Sequence, residues 1–203
     1  GISDSIKEVE EDIQTFLTLD IPHISAYSLI IEKNTIFGIQ KREYIEEEKE
    51  YEMYRRIKQI LESHHYQQYE ISNYAKLGYQ SKHNLNYWNN GSYYGFGLGA
   101  VSYIHNKRIN NTLNFGKYLE NKYQREIIEE DKKLRISNEF ILGLRKIDGI
   151  DRNDFERKYQ EDILTIPEVK KLLQEKKLVF QNNHLFIADK YLYLSNEILI
   201  KFV

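Results

Sequence analysis

The chain has 203 residues, 41% hydrophobic and 30% charged, and a formal net charge of −2. That composition suits globular material, enough for one large or two small domains, and implies no global attraction to nucleic acid or an anionic membrane. Cysteine is absent, which excludes disulfides and zinc–thiolate sites. No apolar run approaches the roughly 20 residues that span a bilayer, and no basic start with an apolar core marks a signal peptide. The expected location is the cytoplasm.

In chain order, Ile6, Val9, Ile13, Phe16 and Leu17 recur at helical spacing behind possible caps at Ser3 or Ser5, and Pro22 ends that segment. His23 to Ile31 reads as a buried strand. Met53, Tyr54, Ile57, Ile60 and Leu61 share one face of a helix over about 46–63, whose acidic start suits the helix dipole. Tyr66 to Ile71 reads as a second strand. Strand, helix, strand at this spacing predicts a βαβ unit with two parallel strands and a right-handed crossover. A further strand is expected within 95–105, then a short helix marked by Phe115, Tyr118, Leu119 and Tyr123. The charged stretch 125–133 reads as a domain boundary.

Beyond it the pattern changes. Leu134, Phe140, Ile141 and Leu144 line a helix that Gly149 is expected to terminate. Asp151 is placed to cap 152–159, and Pro167 sits at the first turn of a helix reaching about 176. Leu178–Phe180 and Leu185–Ile187 flank a hairpin signal, Gln181-Asn182-Asn183-His184. Ile198, Leu199 and Phe202 close the chain on a helix. Helices followed by a hairpin predict a small winged-helix-like α+β domain.

The densest stretch runs from Tyr69 to Tyr103 and holds the one tryptophan, a His-Asn pair and glycines at 95, 97 and 99. Glycine permits unusual backbone angles and close approach of a ligand. The run Gly95-Phe96-Gly97-Leu98-Gly99-Ala100 is no dinucleotide fingerprint, because the second half of GxGxxG is missing; a tight turn is the plainer reading. His83 has a tryptophan and a tyrosine close by in sequence, and a neutral imidazole is able to ligate haem iron. An isolated histidine in a polar stretch is more often just hydrogen-bonded. Glu70 and Asn73 fall at a strand end, where a carboxylate orients ligands or pairs with a lysine or arginine. Most of the 17 tyrosines are read as aromatic packing with hydroxyls on polar partners.

Four strings in one order, HISAYSLIIE (23–32), YEISNYA (69–75), HNLNYW (83–88) and GFGLGAVSY (95–103), resemble the downstream part of the HemN/HemW family. These are radical S-adenosylmethionine (SAM) proteins, comprising oxygen-independent coproporphyrinogen III oxidases and their haem-handling relatives. The resemblance implies the C-terminal part of an incomplete TIM-like α/β barrel with its extension over 1–128, and a winged-helix-like domain over 129–203. It implies haem contact by His83, Asn84, Tyr87 and Trp88, with His83 as the possible iron ligand, because HNLNYW fits the HNxxYW pattern of the HemW branch. It places Ile30, Leu85, Val101, Gly97 and Gly99 near SAM; core packing is the alternative for the first three. Val101 stands where the chaperone type commonly has histidine, and is closer to the oxidase branch. Lys33-Asn34 replaces the usual Pro-Gly after Glu32.

The family's [4Fe–4S] cluster needs three cysteines of a CxxxCxxC motif, which this chain lacks. The chain is therefore expected to be the downstream part of a longer protein whose cofactors are SAM, a [4Fe–4S] cluster and haem, with haem the one this part would hold, and to be inactive by itself. The implied function is haem binding and delivery in a HemW-like protein. The alternative is the oxidative decarboxylation of coproporphyrinogen III. Expected partners are haem or a porphyrinogen, the missing N-terminal half, and a second copy through the unfinished barrel edge. A different class, a winged-helix DNA-binding or interaction module, is suggested by Lys170, Lys171, Lys176 and Lys177. Yet residues 131–203 carry only two more basic than acidic side chains, too small an excess for strong phosphate binding.

Overall fold

The structure, a computed structural model, describes residues 5–40 and 45–203. The candidate cap Ser3 lies outside the described residues. Two compact units divide between Gln80 and Ser81.

In the first unit, helix α1 (Ile6–Thr18) begins where the Ser5 hydroxyl accepts from the Glu8 backbone N–H at 3.2 Å. That bond satisfies one of the donors a helix start leaves open. After the short α2 (Ile36–Ile39), α3 (Glu47–Ser63) starts without a side-chain cap. Glu47, Glu48 and Glu50 in its first turn instead place negative charge at the positive end of the helix dipole, which favours them. The apolar stripes of α1 and α3 meet around Ile13, Ile60, Leu61, Tyr66 and Tyr74. A fully buried side chain of this size contributes about 1.5–3 kcal/mol. The Tyr66 hydroxyl is kept satisfied by donating to the Ile21 carbonyl at 2.6 Å.

Strands β1 (His23–Ser25), β2 (Gln67–Glu70) and β3 (Asn73–Ala75) form a sheet in the order β1-β3-β2, with both pairings antiparallel. The two strands expected to be parallel are therefore not neighbours in the sheet. β1 and β2 do run the same way, but β3 lies between them. The two-residue turn Ile71-Ser72 sends the chain straight back along β2, and so short a loop closes at small entropic cost. β3 then occupies the place beside β1 that β2 was expected to take. The strand expected over 23–31 is also shorter: the ladder ends at Ser25, and Tyr27 and Ile30 are exposed.

The second unit opens with α4 (Lys82–Trp88), followed by the antiparallel sheet β4 (Val101–Ile104), β5 (Lys107–Asn111) and β6 (Gln124–Glu129), with α5 (Phe115–Leu119) between β5 and β6. The charged stretch read as a boundary is occupied by β6 and by the start of α6 (Lys132–Gly143). Next come β7 (Ile150–Asp151), α7 (Arg152–Tyr159), α8 (Pro167–Gln174), β8 (Leu178–Gln181), β9 (His184–Ile187) and α9 (Ser195–Leu199). These three strands form a sheet in the order β7-β9-β8. Asp131 and Asp151 cap α6 and α7, and Pro167 opens α8 as its missing N–H allows. The core is apolar: Phe140, Leu144, Phe155, Ile163, Val169 and Leu185 are all but fully buried, and Phe140 stacks on Phe202 at 4.3 Å between ring centroids.

Candidate functional site

The sequence-marked residues of the second unit gather on α4 and on the loop before β4. Ser81 caps α4, its hydroxyl accepting from the Asn84 N–H at 3.3 Å. His83 and Tyr87, one turn apart, share a helix face, with ring centroids 4.9 Å apart and edge to face. Tyr87 continues to Tyr93 at 4.5 Å, and Tyr93 to Tyr103 at 6.3 Å, which makes a row of aromatic rings leading from α4 to β4. His83 is exposed, and among the described residues its imidazole has this ring contact and no hydrogen bond or ion pair. Both nitrogens therefore remain available to a ligand.

Trp88 belongs to a different environment. Five residues beyond His83, it lies well round the helix from the His83–Tyr87 face. The Arg145 guanidinium lies over its ring at 4.9 Å. Trp88 Nε1 and Arg145 Nε are both buried with no hydrogen-bond partner among the described residues. Such shielded donors cost about 1–3 kcal/mol each when unmet.

The turn after α4 is fixed by groups that the sequence does not single out. Lys146 Nζ donates to Asn89 Oδ1 at 2.7 Å, and Lys158 Nζ to the Asn89 carbonyl at 3.1 Å. Asn90 Nδ2 reaches Glu139 Oε2 at 3.4 Å. The buried Glu139 also holds Lys158 at 2.8 Å and accepts from the Tyr159 hydroxyl at 2.8 Å. Burial, then the charge of Glu139, pushes the Tyr159 hydroxyl far above its ordinary pKa. Glu139 running straight into Phe140-Ile141-Leu142 on α6, with a Lys-Tyr pair on α7, was the available sequence signal.

The glycine run is a loop, and the strand expected after it is β4. Gly95 donates its N–H to Ser102 Oγ at 2.9 Å, and Asn111 Nδ2 donates to the Gly97 carbonyl at 2.9 Å. A Cβ on Gly95 would come within 2.2 Å of the Val101 carbonyl oxygen, so close packing on β4 demands glycine there. Gly97 instead has φ +105° and open space about its Cα. Leu85 and Val101 are partly buried in this unit. Tyr94 and Phe96 project from the loop as a stacked pair 6.3 Å apart, and both are exposed.

Ile30 lies in the first unit and is 76% exposed. Glu70 and Asn73, also there, are buried at the β2–β3 turn. Glu70 Oε1 accepts from the Ser72 N–H at 3.1 Å and from the Asn73 amide, and Ser25 donates to Asn73. These bonds hold the turn that puts β3 beside β1. A cavity of about 260 Å³ lies in this unit, lined by Val9, Ile13, Leu29, Met53, Ile57 and Tyr74 among others.

Groups of three or more His, Cys, Asp or Glu able to hold a metal ion are absent among the described residues. With no cysteine in the sequence, the donors present do not fit an iron–sulfur cluster. No helix among the described residues is long and apolar enough to cross a membrane.

No family model matches the chain. It is similar to the heme chaperone HemW of Lactococcus lactis, with 34% identity over 98% of this chain and 55% of the relative. The heme chaperone HemW of Bacillus subtilis is 36% identical over 96% of this chain and 54% of its own length. The chain thus spans about half the length of these curated relatives. Among solved structures, coproporphyrinogen III oxidase HemN of Escherichia coli, described as a radical SAM enzyme, matches with a TM-score of 0.77. That match covers 98% of this chain and 51% of the oxidase at 12% identity, which is a likeness of fold. In sequence the chain is thus similar, along nearly its whole length, to heme chaperones HemW, and in fold to the HemN oxidase.

Proposed function

We propose that this chain is the haem-handling part of a HemW-like protein that binds and delivers haem in the cytoplasm, with His83 as an axial iron ligand. The observation that carries this reading is the exposed His83 imidazole, free of hydrogen bonds among the described residues, at the head of a row of aromatic rings. A neutral imidazole is a common haem ligand, and flat aromatic side chains suit a porphyrin face. Asn84 and Tyr87 join His83 in the proposed contact set, whereas Trp88, expected there from the motif, lies round the helix under Arg145; the relatives named heme chaperones support haem binding as such.

Gly97, Gly99, Leu85 and Val101 are proposed to lie near SAM. The cysteines for a cluster would have to come from elsewhere in a longer protein. Helices α6 to α8 followed by the β8–β9 hairpin support a winged-helix-like domain over 129–203, with 1–128 as the barrel-derived part. Further proposed partners are the N-terminal half and a second copy.

A haem titration of wild type beside His83→Ala and His65→Ala tests the ligand. Loss of the Soret shift in His83→Ala alone supports it. Equal affinity and equal spectra for wild type and His83→Ala remove His83, and loss only in His65→Ala moves the site.

A further inference from the structure

Two helix stripes and a strand end enclose the cavity of about 260 Å³ in the first unit. Val9, Asp12 and Ile13 recur at helical spacing along one face of α1, and Glu50, Met53, Tyr54 and Ile57 do so along one face of α3. Residues 24–29, running out of β1, close the third side. The site lies wholly within the first unit, so it does not depend on the haem reading of His83.

Each stripe carries one carboxylate at a position facing the cavity, where packing alone calls for an apolar side chain. Asp12 is exposed and stands at the mouth, whereas Glu50 is half-buried. Among the described residues Glu50 makes no ion pair and no side-chain hydrogen bond, and no lysine, arginine or histidine lines the cavity. The lining thus holds two acids and no base. An incoming carboxylate meets repulsion there. A neutral molecule gains only the apolar walls, and a cation gains both the walls and the charge. Salt screens a half-buried charge less than one in open water, so that preference persists at physiological ionic strength.

Size narrows the ligand further. A cavity of about 150 Å³ takes one benzene, and in proportion this one takes about ten non-hydrogen atoms. That is a phenyl ring with a short chain and a head group.

We propose that this cavity binds a small organic cation of that size, an amine with a phenyl-sized apolar body lying between the α1 and α3 stripes and its ammonium against Glu50. Apolar walls with a few placed polar groups are the usual make-up of a small-molecule site.

Met53 supplies the probe. It is the one methionine in the sequence and only 5% exposed, so its methyl resonance reports on the cavity interior. The chain, isotope-labelled at the methionine methyl, is titrated at neutral pH with phenylpropylamine, phenylpropanol and phenylpropionate, which share one skeleton and differ in charge. The amine should shift the Met53 resonance saturably and raise the melting temperature; the alcohol should bind more weakly and the acid weakest. Glu50→Gln should lower the affinity for the amine by about fivefold and leave that for the alcohol unchanged, so that the two converge. Circular dichroism confirms the fold of the variant. The absence of a saturable Met53 shift with the amine overturns the proposal, as does an acid that binds as tightly as the amine. A folded Glu50→Gln protein that keeps the full preference for the amine removes Glu50 as its partner and overturns the proposal equally.

Discussion

Lys158 of α7 and Glu139 of α6 form an ion pair at 2.8 Å in which the carboxylate side chain is only 5% exposed and the lysine 34%. The same carboxylate receives the Tyr159 hydroxyl and the Asn90 amide, and Lys158 also reaches the Asn89 carbonyl. One buried acid thereby joins two helices of the C-terminal part to the turn that ends α4. Removing it takes an acceptor from three donors at once, of which Lys158 keeps the Asn89 carbonyl and Tyr159 the Arg135 carbonyl at 3.3 Å. Glu139→Ala should destabilise the second unit by about 2 kcal/mol, with a smaller loss in Glu139→Gln, which keeps an acceptor for Tyr159. Urea denaturation measures both. Wild-type stability in the alanine variant would mean that the network contributes nothing net.

Tyr159 supplies a pH test. Its folded pKa is raised, by burial first and by Glu139 second. The neutral hydroxyl is the form the fold favours. Its contribution is fully present below the unfolded value of about 10 and declines as pH rises above that value. Stability should fall on the alkaline side, and Tyr159→Phe should flatten part of that fall while losing the bond to Glu139. Denaturation midpoints measured from below to above pH ~10 read this out; identical slopes for the two proteins would contradict it.

His23 has the opposite sense. Its ring accepts or donates at 2.8 Å with the Tyr69 hydroxyl, and burial lowers its pKa below the ordinary 6.5. The stabilisation is therefore present above the unfolded pKa and lost as pH falls through the folded one. NMR titration of the imidazole should give a midpoint below 6.5, and the first unit should weaken in mild acid more in wild type than in His23→Gln. A midpoint at or above the ordinary value would refute the assignment.

The two glycines that flank Phe96 should respond differently. Gly95→Ala drives a Cβ into the Val101 backbone, which has no flexible end to move aside, so a loss of about 3 kcal/mol or failure of β4 to seat is expected. Gly97→Ala meets no atom within 4 Å and carries only the strain of φ +105°, about 1–3 kcal/mol. Denaturation midpoints should rank Gly95→Ala as the more damaging. The reverse order would show that loop conformation, rather than packing on β4, sets the requirement for glycine.

Local physics was legible in the one-dimensional chain. The stripe of Val9 and Ile13 specifies α1, Asp151 and Pro167 announce α7 and α8, and Asn182-Asn183 specifies the hairpin, where both residues adopt positive φ of 51° and 66°. Caps and turns are decided by neighbours within a few residues, so the sequence contains the whole cause. The ordered motifs likewise carried the resemblance, and the curated relatives at 34% and 36% identity are heme chaperones HemW.

Tertiary structure decided what depends on distant partners. The βαβ spacing could not reveal that β3 would lie between β1 and β2, because the Glu70–Asn73 turn and the Ser25 contact act across the sheet. The string HNLNYW puts His83 and Trp88 in one motif, yet helical geometry separates them. His83 faces Tyr87, and Trp88 lies under Arg145, 57 residues further along the chain. Glu139 likewise finds Lys158 and Tyr159 only once α6 and α7 have packed. Helix periodicity is set by adjacent peptide units, whereas strand order and buried ion pairs are settled by groups that meet only after the chain has folded back on itself.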